Sequence, residues 1–207
     1  AMLAAPAVAV AWALGRADLP LLTGRIPATA YDAYAAASEA ASGVTDACQV
    51  DWTILAGIAQ VESRHGRIDG NHELAADGDV LPPIRGRALD GTGGTQPIVG
   101  VADGDGTWDR AMGPLQFIPT TWSELGRDGN GDGEADPDNL FDASLTAVAH
   151  LCLREPGDYT QRHELRRALI AYNASGRYAE DVLDWIERYR TTPFEEVVEV
   201  AEGDEPV

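Results

Sequence analysis

Glu62, in the string VESRHG, is the carboxyl group best suited by its surroundings to acid–base chemistry. Leu55 and Ile58 precede it by seven and four residues, so on a helix it projects from the face carrying those apolar side chains. It also falls in the last turn, where the helix end carries a partial negative charge. Burial and nearby negative charge both raise a carboxylic pKa, and a general acid must still hold its proton near neutrality. The competing reading is a surface glutamate paired with Arg64 or Arg67. Other constellations are missing: His65, His72, His150 and His163 fall at no zinc-binding spacing and read as packing or surface residues. There is no GxSxG, Walker or GxGxxG motif.

Two further strings place polar groups among apolar ones. In AMGPLQFIPTTW, residues 111–122, Gly113-Pro114 imposes a turn and Pro119 with two threonines reads as a helix start. Gln116 sits between Leu115 and Phe117, able to offer an amide to a hydroxylated ligand. In AYNAS, Tyr172 and Asn173 end one helix and Tyr178 opens the next. Aromatic faces beside an amide suit pyranose rings, and tyrosines at helix junctions equally suit core packing.

A fourth feature is DGNGDGEADPDNLFDA, residues 128–143. Asp128, Asn130 and Asp132 alternate, Gly133 permits a sharp turn and the Glu134 carbonyl follows, the front half of an EF-hand-like Ca²⁺ loop. Asn139 stands where the twelfth-position Glu belongs, and Asp142 can replace that ligand if the loop is longer. An acidic solvated loop is the alternative.

These residues need elements to position them. Apolar spacing and caps predict helices over 28–41, 51–64, 144–153, 160–172 and 178–189, with Asp51 as N-cap of the second and Gly66 just past its end. On that helix Ile54, Leu55, Ile58 and Val61 mark one buried face. On the last, Val182, Leu183, Trp185 and Ile186 mark the inner side. Residues 66–110 show no sustained period and read as a long irregular insertion, with short strands at 80–81 and 98–101. The fold expected is therefore mainly α.

Composition limits the function. Hydrophobic content of 44% and five Trp indicate a globular chain. Thirty-four acidic residues against 15 basic ones, a net charge of −19, leave no electrostatic footprint for nucleic acid. Residues 2–14 are almost wholly apolar yet too short to span a membrane, and read as the end of a signal or anchor segment or as a buried helix. Cys48 and Cys152 are too far apart for a CxxC motif; they are either free thiols or one disulfide of an exported protein. The apolar N-terminus favours export and the bridge, which would clamp the Glu62 helix to the helix after the acidic loop. Three regions follow: an apolar segment at 1–27, a folded domain at 28–193 and an acidic tail at 194–207, expected to be disordered.

The order and spacing of VESRHG, MGPLQFIPTTW and YNAS with Tyr178 resemble the lytic transglycosylases of the lysozyme-like superfamily, and are most similar to the branch typified by membrane-bound lytic transglycosylase B. The resemblance runs from about Cys48 to Trp185. It implies a lysozyme-like domain in which Glu62 is the catalytic acid/base and Gln116, Tyr172, Asn173 and Tyr178 line the glycan groove or orient the acid. Only the second amide of the family's Gly-Gln-Pro-Gln carries over, because this chain has Leu115 between Pro114 and Gln116. The branch also has an extended calcium loop closed by a later Asp, matching Asp128, Asn130, Asp132, Glu134 and Asp142. The implied partner is the glycan strand of peptidoglycan, attacked outside the cytoplasm by a monomer that is secreted or anchored. Two alternatives stand beside it: a muramidase with a second carboxylate from residues 69–109, and a non-catalytic, calcium-stabilised wall-binding module.

Overall fold

A computed structural model describes residues 24–92, 98 and 108–199. Within them the chain is mainly α, with three small two-stranded ribbons. Helix α1 (Ala28–Glu39) runs into a 3₁₀ turn at Ala40–Gly43, and α2 (Trp52–Ser63) follows. Asp51 caps α2 as expected, accepting the Thr53 N–H at 3.1 Å. The insertion then contributes β2 (Glu73–Leu74), β3 (Val80–Leu81), β4 (Arg85–Ala88) and β5 (Arg110–Met112). Four helices complete the bundle: α3 (Pro119–Leu125), α4 (Leu140–Arg154), α5 (Arg162–Tyr172) and α6 (Gly176–Thr191).

Helix α2 is the axis of the core. It packs against α1, α4 and α6, and every residue from Thr53 to Gln60 is buried. The single apolar face expected from spacing is thus too narrow a description: three neighbours enclose nearly the whole circumference, and only partly buried Val61 interrupts the run before Glu62. Gly57 lets α6 close in, since a Cβ there would lie 2.7 Å from Ile186 Cγ1 and 3.2 Å from the Val182 carbonyl. On α6 the buried stripe is Tyr178, Ala179, Val182, Leu183, Ile186 and Tyr189. Trp185, placed on the inner side by spacing, is only partly buried, and Arg188 lies over its ring at 4.4 Å.

Residues 66–92 are organised rather than structureless. Strand β2 pairs antiparallel with β3, and β4 pairs antiparallel with β5. The strand at 80–81 is present; that at 98–101 lies outside the described residues except for Ile98, whose backbone bonds Leu89 and Asp109. Helix α4 starts earlier than its apolar period suggests. Asn139 caps it, taking the Phe141 N–H at 2.9 Å, and donates through Nδ2 to Asp77 O and Asp79 Oδ1 of the insertion.

The ends of the domain differ from expectation. Residues 194–199 do not form a disordered tail: Phe194–Val197 is a short helix, α7, and β6 (Val198–Glu199) pairs in parallel with β1 (Ile26–Pro27). Val197 and Val198 are buried with Ile26, so apolar side chains within an acidic stretch close the core. The folded region therefore reaches beyond 28–193 at both ends. Among the described residues no helix is long and apolar enough to cross a membrane, and the apolar segment at 2–14 lies outside them. Cys48 and Cys152 form a disulfide with Cα atoms 5.6 Å apart, joining the approach to α2 to the last turn of α4.

Candidate active site

Glu62 occupies the last turn of α2 and is almost wholly buried, with 2% of its surface exposed. Burial pushes its carboxyl up to about 8, and the neighbouring Tyr178 hydroxyl opposes that rise. The two groups are close without forming a well-aligned hydrogen bond, for the Tyr178 oxygen has no partner of good geometry. Among the described residues, burial and Tyr178 are the influences on Glu62, and no carboxylate is among them.

The segment 112–117 folds back on itself through paired backbone bonds between Met112 and Phe117. Gly113 is obligatory there: its φ is +68°, and a Cβ would lie 1.7 Å from the Pro137 carbonyl oxygen. Two side chains fasten this turn beside Glu62. Ser63 Oγ donates to Pro114 O at 2.6 Å, and Tyr172 Oη donates to Leu115 O at 3.0 Å. Ser63 was not among the residues singled out from sequence; its adjacency to Glu62 was the available signal.

Gln116, itself at φ +52°, uses part of its amide inside the turn. Its Nε2 donates to Gly113 O at 2.8 Å inside the turn, while its buried Oε1 lacks a partner. The Gln116 atom left without a partner is thus the acceptor Oε1. Asn173 ends α5, and its buried Nδ2 is likewise unpartnered. Two residues on, Ser175 caps α6 by accepting the Tyr178 N–H, which turns the Tyr178 ring toward Tyr172. The two rings lie parallel with centroids 6.4 Å apart. Glu62 raises the pKa of both hydroxyls, so both stand within its electrostatic reach. Unsatisfied polar atoms in a buried setting are costly and point to a missing partner. A phenol beside a protonated carboxyl, with an amide acceptor on Gln116 and an amide donor on Asn173, is chemistry that suits the acetamido and hydroxyl groups of an amino sugar.

The acidic loop forms a separate centre. Asp142 is fully buried in the first turn of α4; its Oδ1 accepts Gly129 and Asn130 N–H groups and its Oδ2 accepts that of Asp136. Burial raises its pKa, and those three bonds counter the rise. Asp128 accepts from Gly131 and Gly133, Asn130 from Asp132, and Asp132 from Glu134. Among the described residues no three His, Cys, Asp or Glu side chains converge as a ready-made metal centre. The loop's oxygens face its own backbone; Asp142 Oδ1 already accepts two N–H groups, while Oδ2 of Asp142 and the Asp128 oxygens accept one each and keep a lone pair that a hard cation could use. Asn139, at the expected twelfth ligand position, serves as the α4 cap instead.

Comparison with curated proteins and with solved structures returned no match. Among family models, the one described as the transglycosylase SLT domain matches residues 98–157. That stretch holds the turn with Gln116, the acidic loop and Cys152, but not Glu62, Tyr172, Asn173 or Tyr178. The match supports a transglycosylase-type domain, in keeping with the mainly α, lysozyme-like fold.

Proposed function

We propose that this protein is a lytic transglycosylase that cleaves the β-1,4 bond between N-acetylmuramic acid and N-acetylglucosamine in peptidoglycan. The observation that carries the reading is Glu62, a buried carboxyl holding its proton up to about pH 8 with two tyrosines beside it and, among the described residues, no partner carboxylate. Glycosidases ordinarily use two carboxylates; one suffices when the substrate supplies its own nucleophile. Glu62 gives its proton to the bridging oxygen and the C1–O bond breaks, with the substrate's acetamido group assisting. The muramic C6 hydroxyl then returns a proton to Glu62 as its oxygen bonds C1, leaving a 1,6-anhydro sugar and consuming no water. A well-oriented ring closure reaches an effective molarity on the order of 10⁵ M or more.

Gln116, Asn173 and Tyr178 bind the sugar through their unpartnered atoms, and Tyr172 holds the turn that carries Gln116. Such a reaction belongs outside the cytoplasm, in keeping with the disulfide. Calcium on Asp128, Asn130, Asp132, the Glu134 carbonyl and Asp142 is part of the same proposal, with a structural role only. It rests on the alternating oxygen side chains and on the buried Asp142 that gathers the loop. The protein acts as a monomer.

The decisive experiment is the mass of soluble products from purified sacculi. Anhydro products, one water lighter than hydrolysed ones, are expected. Products of hydrolysed mass would make the protein a muramidase, and sacculi bound but uncut would make it a wall-binding module.

A further inference from the structure

Beneath the end of α2 lies a hydrogen-bonded chain that the proposed reaction does not use. His65 is fully buried, with Nδ1 2.9 Å from Tyr34 Oη and Nε2 3.1 Å from Tyr189 Oη. Tyr189 Oη in turn donates to Gln60 Oε1 at 3.4 Å. Burial, with Arg67 adding to it, holds the imidazole down to about 3, so the ring is neutral at working pH. A neutral imidazole has one N–H and one bare nitrogen. Because Tyr189 gives its proton to Gln60, Nε2–H donates to the Tyr189 oxygen and Nδ1 accepts from Tyr34. The chain thus runs in one direction, from α1 through His65 to α6 and back to α2.

The backbone at His65 needs holding. Arg64 and His65 have φ of +54° and +60°, and Gly66 follows at +84°. One left-handed residue suffices to end a helix, and glycine adopts it without strain. Here two non-glycine residues precede the glycine, a conformation that persists only where the surroundings over-determine it. The turn starts two residues after Glu62, and the His65 N–H is tied back to Ala59 O at 3.2 Å.

We propose that His65 is a positioning residue for Glu62: clamped between Tyr34 and Tyr189, it holds the left-handed turn that keeps the Glu62 carboxyl in its buried seat. The inference rests on reading Glu62 as the acid. The groups facing Glu62 are Tyr172 from α5 and Tyr178 from α6; those facing His65 are Tyr34 from α1, Tyr189 from α6 and Arg67 beyond the turn. All four phenols are pushed above 10 and His65 is held near 3, so none of these neighbours titrates between pH 6 and 9, where the Glu62 limb falls.

The test is the pH dependence of kcat/KM on soluble glycan strands for Tyr34→Phe and Tyr189→Phe, each with its melting curve. Each variant should move the alkaline limb toward acid by about one pH unit as water reaches the carboxyl, with KM little changed. His65→Gly relieves the backbone strain but removes the imidazole, and should show the same displacement. His65→Asn tolerates the left-handed backbone and keeps one hydrogen-bonding amide, and should recover part of the wild-type limb. Profiles that overlay wild type in the folded tyrosine variants would overturn the proposal, as would a wild-type limb in His65→Gly. Glu62→Gln in the same assay separates the two claims. Activity in that variant retires the reading of Glu62, whereas an inactive Glu62→Gln beside unmoved limbs retires only the role of His65.

Discussion

Glu62 keeps its proton because the folded chain removes water from it, and that has a thermodynamic consequence besides the catalytic one. Its folded pKa of about 8 lies above the ordinary 4.5, so the native state holds a proton that the unfolded chain releases between those values. Stability from this group is full below about pH 4.5 and is lost as pH rises toward 8. His65 and His150 act oppositely: burial depresses them to about 3 and about 4, so their contribution is full above 6.5 and is lost as pH falls. On these three groups the melting temperature peaks near pH 6.5, and a melting temperature still rising between pH 7 and 9 would contradict the burial of Glu62. Glu62→Gln should cut turnover of sacculi by about 10²-fold or more while melting higher than wild type at pH 8. Tyr172→Phe and Asn173→Ala should cost less, since these groups orient the acid and sugar without exchanging protons.

The elements matter through a few close approaches. Helix α6 can lie against α2 only because residue 57 has no side chain, and Gly57→Ala would press on the Val182 carbonyl, which cannot rotate away. Overpacking of this kind costs about 1–3 kcal/mol, measurable as a lower denaturation midpoint with the same slope. The bridge between Cys48 and Cys152 spans 104 residues and fastens the N-terminal approach of α2 to α4. In the chain-entropy model closing such a loop is worth about 4–5 kcal/mol. The Cys48→Ser/Cys152→Ser pair should therefore unfold at markedly lower denaturant, and equal stability with and without the bridge would refute that account.

Over the whole molecule, a net charge of −19 works against compaction, and five carboxylates lie in the loop between α3 and α4. A divalent cation there turns repulsion into cross-linking between the loop and α4, the helix that also carries Cys152. Saturating calcium at a hundredfold above its dissociation constant adds about 2.7 kcal/mol. Chelation should lower the melting temperature, and Asp142→Ala should make it insensitive to calcium. Identical melts with and without chelator, on protein first shown to be metal-free, would remove calcium from the proposal.

Local pattern alone determined the mainly α class, the cap at Asp51, the helix start at Pro119 and the strand at 80–81, because each depends on residues a few positions apart. It also offered Glu62 as a carboxylate in register with Leu55 and Ile58, while the choice between a buried and a surface position was made by the packing around α2. Tertiary structure decided what distance in sequence conceals. The second fastening of the 112–117 turn comes from Tyr172, 57 residues from Leu115, and the left-handed turn after Glu62 is clamped by Tyr34 and Tyr189 from two other helices. One Gln116 amide N–H was taken up by the turn while Oε1 stayed without a partner, and Asn139 became a cap whose Nδ2 the insertion holds. Val197 and Val198, at the start of the acidic stretch, joined the core because Val198 found Ile26 across a parallel pair. Periodicity reports which face of an element is apolar; it carries no information on which distant donor meets which acceptor, and that pairing sets the chemistry of a buried site.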